Sequence, residues 1–372
     1  MPKVLLGDVA TEQKETYKGS KAGYPIVGLE HLIPEEITLT AWSEDIENTF
    51  SKMFHKGDIL FGRRRAYLKK AAVAPFDGIC SGDITVIQAK PEKIIPELLP
   101  FIIQNDTLFD FAVGKSAGSL SPRVKWEHLK NYEFELPGMD KQRELAELLW
   151  AMDVTKKSYQ ELITATDELV KSQFIEEFKH IPKEDYRPLK DVCTLITDGT
   201  HNPPKFVDSG IPFILVSNIT GNVVTYDTPK YITEETYDIL MRRTPIEKGD
   251  VLLSTVGSYG HPAVVTEDKK FAFQRHVAHL KPNRELLESR FLHTAILSSG
   301  VQEQIEELVL GVAQKTLNLS AIKQIRIPVP SLDQQKHFIS FVEQSDKSKF
   351  ELEKALSELT ATYKSIISEN LG

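Results

Sequence analysis

Five basic side chains fall within eight residues, Arg63-Arg64-Arg65-Ala66-Tyr67-Leu68-Lys69-Lys70, directly after a short apolar run. Cations this dense suit phosphate oxygens. Arg63, Arg64, Arg65, Lys69 and Lys70 are therefore candidates to grip a nucleic-acid backbone, with one arginine reaching a guanine edge and Tyr67 beside them. A solvated basic loop has the same composition, so the cluster needs a second feature to decide its role. That feature is a related but unlike loop about 192 residues on, Ser254-Thr255-Val256-Gly257-Ser258-Tyr259-Gly260-His261-Pro262. It keeps a tyrosine, Tyr259, opposite Tyr67, and replaces the cations with Ser258 and glycines. Similar frames with dissimilar loops imply two sites that each recognise something different.

Other polar clusters are weaker. Thr197-Asp198-Gly199-Thr200-His201-Asn202-Pro203-Pro204-Lys205-Phe206 contains Asn-Pro-Pro, which in amino-methyltransferases precedes an aromatic that stacks a flipped base. Lys205 stands where that aromatic belongs, and no glycine-rich nucleotide loop follows a strand. Methyl transfer by this chain is not expected, and His201, Asn202 and Lys205 remain candidates to face DNA. Gln274, Arg275 and His276 lead into a strand and form a further hydrogen-bonding set. His276 and His279 are three apart, on opposite faces of that strand, so no metal site is expected. Lys115, Ser121 and Arg123 in the first half, and Gln314, Lys315 and Asn318 in the second, occupy matched polar lead-ins to short helices. Glu267-Asp268-Lys269 is read as a solvated charge run rather than a nuclease motif, and no Ser/His/Asp order, phosphate loop or zinc spacing is found.

These residues are carried on a duplicated frame. Residues 118–142 align with 311–335 at an offset of 193, sharing Gly118/Gly311, Lys130/Lys323, Pro137/Pro330, Asp140/Asp333 and Gln142/Gln335. Residues 57–73 align with 249–265, each opening Gly-Asp-[Ile/Val]-Leu. A unit of this length exceeds solenoid repeats and implies two similar domains. Strands are expected at Ile59–Phe61, Ile84–Ile87, Ile211–Ser217, Val251–Ser254 and Val277–Leu280, and helices around Ile94–Phe111 and Leu286–Leu310. The domains are α+β, over 1–137 and 183–330.

After Pro137 and Pro330 the pattern turns helical, over 138–182 and 331–372, with Asp140 and Asp333 expected as N-caps. His180-Ile181-Pro182 should end the first helix. Leu145, Leu148, Met152, Thr155, Tyr159, Leu162, Thr166 and Leu169 follow 3-4 spacing. So do Phe338, Phe341, Ser345, Ser348, Leu352, Ala355, Leu359 and Thr362, continuing to Ile366. At an offset of 193 the two series share heptad positions, which predicts helices packed on each other, antiparallel if the copies are related by a two-fold axis. About 40 residues at the helical rise give roughly 60 Å, a spacer long enough for about one and a half turns of duplex DNA.

Net charge is −8. Residues 1–137 carry 17 basic and 19 acidic groups and residues 181–330 carry 17 and 18, so each domain is near neutral, which weighs against a free-standing nucleic-acid binder. Cys80 and Cys193 sit at non-equivalent places, which argues against disulfides. No apolar stretch is long enough to span a bilayer, and the N-terminus lacks signal-peptide features. A cytoplasmic location is expected.

The ordered motifs, in two copies, are Leu6-Gly7-Asp8-Val9 and Leu189-Lys190-Asp191-Val192, the Asp198-Gly199-Thr200-His201 segment, the Gly-Asp-[Ile/Val]-Leu strands, and the Pro-to-Asp-x-Gln helix starts. Together they resemble the specificity subunit of Type I restriction–modification systems across essentially the whole chain. The first half departs from the pattern, having residues 12–21 where the Asp-Gly-Thr-His segment would fall. The resemblance implies a non-catalytic chain with two pseudo-two-fold-related target-recognition domains, each reading half of a bipartite asymmetric DNA site. It implies an antiparallel coiled coil that spaces the halves and docks two methyltransferase subunits, with restriction subunits joining. S-adenosylmethionine, ATP and Mg2+ would belong to those partners and no cofactor to this chain. The assembled enzyme would act as an adenine methyltransferase and site-specific deoxyribonuclease, with no membrane partner. The alternative is the recognition subunit of a Type IIB-like enzyme.

Overall fold

The computed structural model describes residues 2–44, 47–118, 120–311 and 315–371. Two compact units emerge, one of Met1–Glu161 with Leu352–Gly372, the other of Leu162–Glu351. In the first, a four-stranded antiparallel sheet has the order Ala10–Gln13, Ile84–Ala89, Ile59–Gly62, Ala71–Val73. All four residues of Ile59–Gly62 are buried because the strand has a core on each face. Ile59 and Phe61 meet the helices Leu99–Ile103 and Asp106–Gly114, with Phe61 stacked on Phe109 at 5.5 Å. Leu60 points the other way, into a core with Val27, Phe54 and Cys80. That second core lies under a small sheet in which Gly78–Cys80 pairs parallel with Ile26–Val27 and antiparallel with Lys52–Phe54.

The second unit repeats the plan, with sheet order Cys193–Asp198, Val277–Pro282, Val251–Ser254, Pro262–Val264. Val251 and Leu253 face one core and Leu252 another. The small sheet differs. Ile211–Ile214 again pairs parallel with its distant partner, Ala272–Phe273, but the third strand, Tyr231–Ile232, adds to the opposite edge from that used in the first unit.

The shared Gly-Asp motif proves architectural. Gly57 and Gly249 both have φ +91°, a left-handed turn that favours glycine. Beside them Asp58 accepts the His55 N–H at 2.8 Å, and Asp250 accepts the Glu247 N–H at 3.0 Å. Burial raises the Asp58 carboxyl above its ordinary value. In the second unit Asp250 also meets His279 at 2.7 Å, both fully buried.

The helical stretch around Ile94–Phe111 comes as more than one helix, as expected, while the single helix expected over Leu286–Leu310 is broken. The first divides at Asn105, whose side chain caps Asp106–Gly114 by accepting the Thr107 N–H at 3.1 Å. The Leu286–Leu310 segment divides at Ser298 into Ser289–Leu297 and Ser299–Leu308. There the Ser298 hydroxyl donates to the Ala295 carbonyl, and Gln302 Nε2 donates to that of Ile296.

The long helices are Met139–Phe178 and Leu332–Leu371. Asp140 and Asp333 lie inside the first turn rather than at the caps, where their charge still favours the helix dipole. Ser331 is the residue that caps, in a reciprocal pair with Gln334. One turn in, Gln142 and Gln335 are buried. Gln142 Nε2 donates to the Pro137 carbonyl at 2.8 Å while its Oε1 accepts the Ile95 N–H at 2.9 Å. Gln335 matches it through Pro330 at 2.9 Å and Glu288 at 2.9 Å, adding the Leu286 carbonyl at 2.8 Å.

Within each unit the helices run antiparallel side by side. Leu145, Leu149, Ile367 and Leu371 share the first unit's core, with Ile366 against it. In the second, Phe174 and Phe178 pack on Phe338 with ring centroids 5.5 Å apart, Phe341 joins, and Lys349 pairs with Asp167 at 2.7 Å. Half of the expected seam lies on the inner stripe: Leu145 and Met152 are buried, with Tyr159 and Thr166 half-buried. So does its counterpart, Phe338, Ser345, Leu352, Leu359 and Ile366. The intervening positions are corrected by one residue. Leu148, Leu162 and Leu169 are 46, 50 and 52% exposed, and Leu149, Ile163 and Val170 turn inward instead. On the second helix Val342, Lys349, Leu356 and Tyr363 likewise turn inward, with Ser348 and Thr362 exposed, although Phe341 and Ala355 stay half-buried. No helix among the described residues is long and apolar enough to cross a membrane.

This register has a measurable consequence. Leu149→Ala should cost about 2–5 kcal/mol through a core cavity, whereas Leu148→Ala should cost less than about 1 kcal/mol. Denaturant unfolding of both variants checks it, and equal losses would contradict the inner stripe.

Candidate nucleic-acid interface

In the first unit, strand Ile59–Gly62 runs straight into the basic loop, whose backbone is locked to a distant segment. Arg64 bridges Arg123 as an antiparallel pair, the Arg65 N–H reaches the Pro122 carbonyl at 2.8 Å, and the Val124 N–H reaches that of Arg63 at 3.0 Å. A second antiparallel bridge pairs Ala117 with Arg123. Asp83, from the turn before strand Ile84–Ala89, sits between the arginines. Arg123 donates from Nε to Asp83 Oδ1 at 2.7 Å and from Nη2 to Oδ2 at 3.2 Å. Arg64 lies 3.5 Å from Oδ2 through Nη1, and its Nε donates to Ser121 Oγ. The Arg123 hydrogen bonds, and then the charges of the nearby arginines, hold the Asp83 carboxyl below the usual carboxylate range.

The other cations divide. Lys69 is paired with Asp106 at 2.6 Å and Lys70 donates to the Leu29 carbonyl at 2.7 Å, so both are tied into the fold. Arg63 is half-buried, with its Nε away from solvent. Arg65, Tyr67 and Lys115 are exposed, Lys115 lying 5.7 Å from the Phe111 ring. Arg65 and Lys69 have φ of 55° and 51° and bracket the turn Ala66–Leu68. Left-handed backbone at non-glycine residues carries a cost, and the two are held differently, Arg65 by its N–H bond to the Pro122 carbonyl and Lys69 by the Ala66 carbonyl and Asp106.

In the second unit the corresponding place is open. A cleft of about 380 Å³ is lined by Asp198, Thr255, Val256, Arg275, His276, Thr316, Leu317, Asn318 and Leu319. Asp198 accepts from Arg243 at 2.7 Å and pairs with His201 Nε2 at 2.8 Å, which gathers the end of the first strand, the Asp-Gly-Thr-His loop and the turn that follows the helix Glu234–Met241. Arg275 Nε donates to His276 Nε2 at 3.2 Å, which makes that nitrogen the acceptor and leaves the proton on Nδ1. Burial, and then the Arg275 charge, lower the His276 pKa, so the ring is neutral near pH 7. Asn318 caps Leu319–Ile322 by accepting the Ala321 N–H at 2.8 Å, which commits its oxygen.

At the rim, the Tyr259 hydroxyl donates to Glu306 at 2.8 Å, and Lys315 lies 3.3 Å from that hydroxyl and 3.4 Å from Glu306. The Tyr259 hydrogen bond is the largest cause lowering Glu306 and raising Lys315. Asn202, Lys205 and Ser258 are exposed, and Gln274 is half-buried at the strand entry. Gln314 lies outside the described residues. No group of three or more His, Cys, Asp or Glu side chains among the described residues is placed to hold a metal ion.

The repeat ties the two places together. The Arg64–Arg123 bridge has its counterpart in Val256–Thr316, and Ala117–Arg123 in Leu310–Thr316. His276 occupies the place of Asp83. One backbone frame therefore holds an ionic brace in the first unit and an open cleft in the second. Asp83, Asp198 and Arg243 were not singled out from sequence. Asp83 was reachable, because the repeat offset carries His276 onto it. Arg243 was not, since only folding brings it to Asp198.

A family model described as the Type I restriction modification DNA specificity domain matches the chain twice, over residues 4–164 and 183–360. The type I restriction enzyme EcoBI specificity subunit of Escherichia coli is 29% identical over 175 residues, which cover 46% of this chain and 37% of that protein. The putative type I restriction enzyme MjaX specificity subunit of Methanocaldococcus jannaschii is 21% identical over 378 residues, covering 91% and 86%. Among solved structures, a chain from work on complex assembly and conformational transition of the type I R-M system superposes with TM-score 0.60 at 21% identity, covering 99% of this chain and 97% of that one. The S subunit of a type I restriction-modification system from M. genitalium gives 0.54 at 13% identity, covering 100% and 96%. At these identities the structural likeness is one of fold.

The cleft makes a prediction about protonation. In an NMR pH titration the His276 ring should titrate below its ordinary midpoint of about 6.5. Arg275→Ala should move that midpoint upward by removing the neighbouring positive charge. A wild-type midpoint at or above 6.5 would show that the ring is not held as described.

Proposed function

The chain belongs to the Type I restriction modification DNA specificity family, and from that membership we propose that it is the non-catalytic DNA-recognition subunit of a type I restriction–modification enzyme. Residues 1–137 and 183–330 act as target-recognition domains, each reading one half of a bipartite, asymmetric site. The long helices, over 138–182 and 331–372, space the halves and receive two methyltransferase subunits, with restriction subunits completing a cytoplasmic complex. S-adenosylmethionine, ATP and Mg2+ serve those partners, which carry out adenine methylation and DNA cleavage. The Type IIB-like reading is not favoured, because the relatives are named as type I specificity subunits.

The observation that carries this reading is the pair of matched loci with unlike side chains, Arg64, Asp83 and Arg123 against Val256, His276 and Thr316. A repeated frame that served packing alone would not call for an ionic set at these half-buried positions in one copy and none in the other. Near-neutral domains suit a subunit that shares phosphate binding with partners, since phosphate contacts supply affinity and base contacts supply discrimination.

The test is methylome sequencing of a host carrying this chain with its cognate methyltransferase. Arg64→Ala should lower methylation about tenfold or blur one half-site, the scale of one lost base or phosphate contact, and leave the other half unchanged. Unaltered methylation at both halves would count against the assignment of the loop. A second expectation concerns the helices, which rise about 1.5 Å per residue. Adding one or two turns near Thr164–Thr166 should lengthen the unread gap while both half-sites keep their sequence. Altered half-sites with a fixed gap would refute the spacer role.

A further inference from the structure

We propose that Arg123 reads a guanine in the half-site of the first domain, and that Asp83 is the positioning residue that aims it. This rests on the DNA-recognition reading above and assigns its chemistry at one locus.

The geometry is side-on. Asp83 takes the Nε and Nη2 hydrogens on one flank of the Arg123 guanidinium, at 2.7 and 3.2 Å. That leaves the far edge of the guanidinium, one hydrogen on each terminal nitrogen, pointing away from the carboxylate in parallel. Two parallel donors at that spacing match guanine O6 and N7 in the major groove, and no other base presents two acceptors there. The side chain is 40% exposed, so the edge is accessible, while Asp83 is 21% exposed and better shielded. Arg64 is held less firmly, by Ser121 and a 3.5 Å approach to the same carboxylate. It stands beside the reader as a second cation.

A brace with a purely structural role is the competing explanation, and the repeat argues against it. In the second unit the same backbone bridges close through Val256 and Thr316, with His276 in the place of Asp83 and no ion pair joining those three positions. The frame therefore holds without the brace. An arginine fixed by a carboxylate beside exposed Arg65 and Tyr67 is pre-organised, so it loses little rotamer freedom on meeting a base. By the same comparison, Thr316 supplies no guanidinium, and the second half-site should not depend on this locus in the same way.

The experiment uses the assembled complex with its methyltransferase. Arg123→Lys keeps the charge, and so a phosphate contact, but cannot present two parallel donors. It should relax one guanine position in one half-site, reducing discrimination there by about 5- to 150-fold, with the other half-site unchanged. Asp83→Asn should relax the same position to a smaller degree. On wild-type protein, 7-deazaguanine at that position, which lacks N7, should weaken binding, and this arm stands even if either variant folds poorly. An unchanged motif with Arg123→Lys, a uniform loss of methylation at unaltered base preference, or no half-site guanine sensitive to N7 removal would each overturn the proposal. Those outcomes leave the DNA-recognition reading standing so long as the wild-type complex methylates a bipartite site. A wild-type complex that methylates none would remove that reading and the proposal with it.

Discussion

A buried glutamine one turn into each long helix is the constraint on which much else depends. Gln142 and Gln335 each take a backbone N–H from the domain, Ile95 or Glu288, and return a hydrogen to the carbonyl of the proline that precedes the helix. A buried amide must find partners for both its oxygen and its nitrogen. Here those partners lie on both sides of the junction, so the domain and helix root cannot be reoriented without breaking them. The helix therefore leaves each domain in a defined direction, and its inner stripe is presented to the other helix. That anchor acts with the apolar contacts, such as Phe174 on Phe338, to select one rotational setting for helices that carry polar inward positions such as Ser345 and Lys349.

The same division between fixed frame and variable insert recurs at the proposed recognition loci. Backbone bridges close both loops identically, by Arg64 to Arg123 in one unit and Val256 to Thr316 in the other. Main-chain hydrogen bonds are indifferent to side-chain identity, so the loops can change chemistry without losing position. The first unit uses that freedom for arginines gripped by a carboxylate, the second for a cleft with a neutral imidazole. A recognition protein needs both properties, since discrimination depends on donors and acceptors held still before the ligand arrives.

The helix register shows where sequence reading loses its grip. At the misplaced positions of the first helix, apolar residues often stand in adjacent pairs: Leu148-Leu149, Leu162-Ile163 and Leu169-Val170. Neighbours on a helix differ by about 100°, so either member of such a pair satisfies 3-4 spacing. Periodicity alone has no means to choose between them. The structure chooses the second member each time, because the Gln142 and Gln335 anchors and the Phe174–Phe338 contacts set the rotation. The cations of the basic loop behave similarly. Their clustering was legible, but Lys69 and Lys70 are spent on Asp106 and the Leu29 carbonyl, partners far away in the chain.

Local and repeated information was sufficient for the duplication, the α+β class, the two long helices and the neighbourhood of the candidate site. Strand alternation, turn residues and helix starts act over a few residues, and an internal repeat doubles their signal. What only the tertiary structure decided were the pairings across long stretches of chain: Asp83 with Arg123, Asp198 with Arg243, and the inner face of each helix. Those depend on which surfaces meet after folding. A side chain's role is set there by the partner that reaches it first, and no spacing along the chain records that distance.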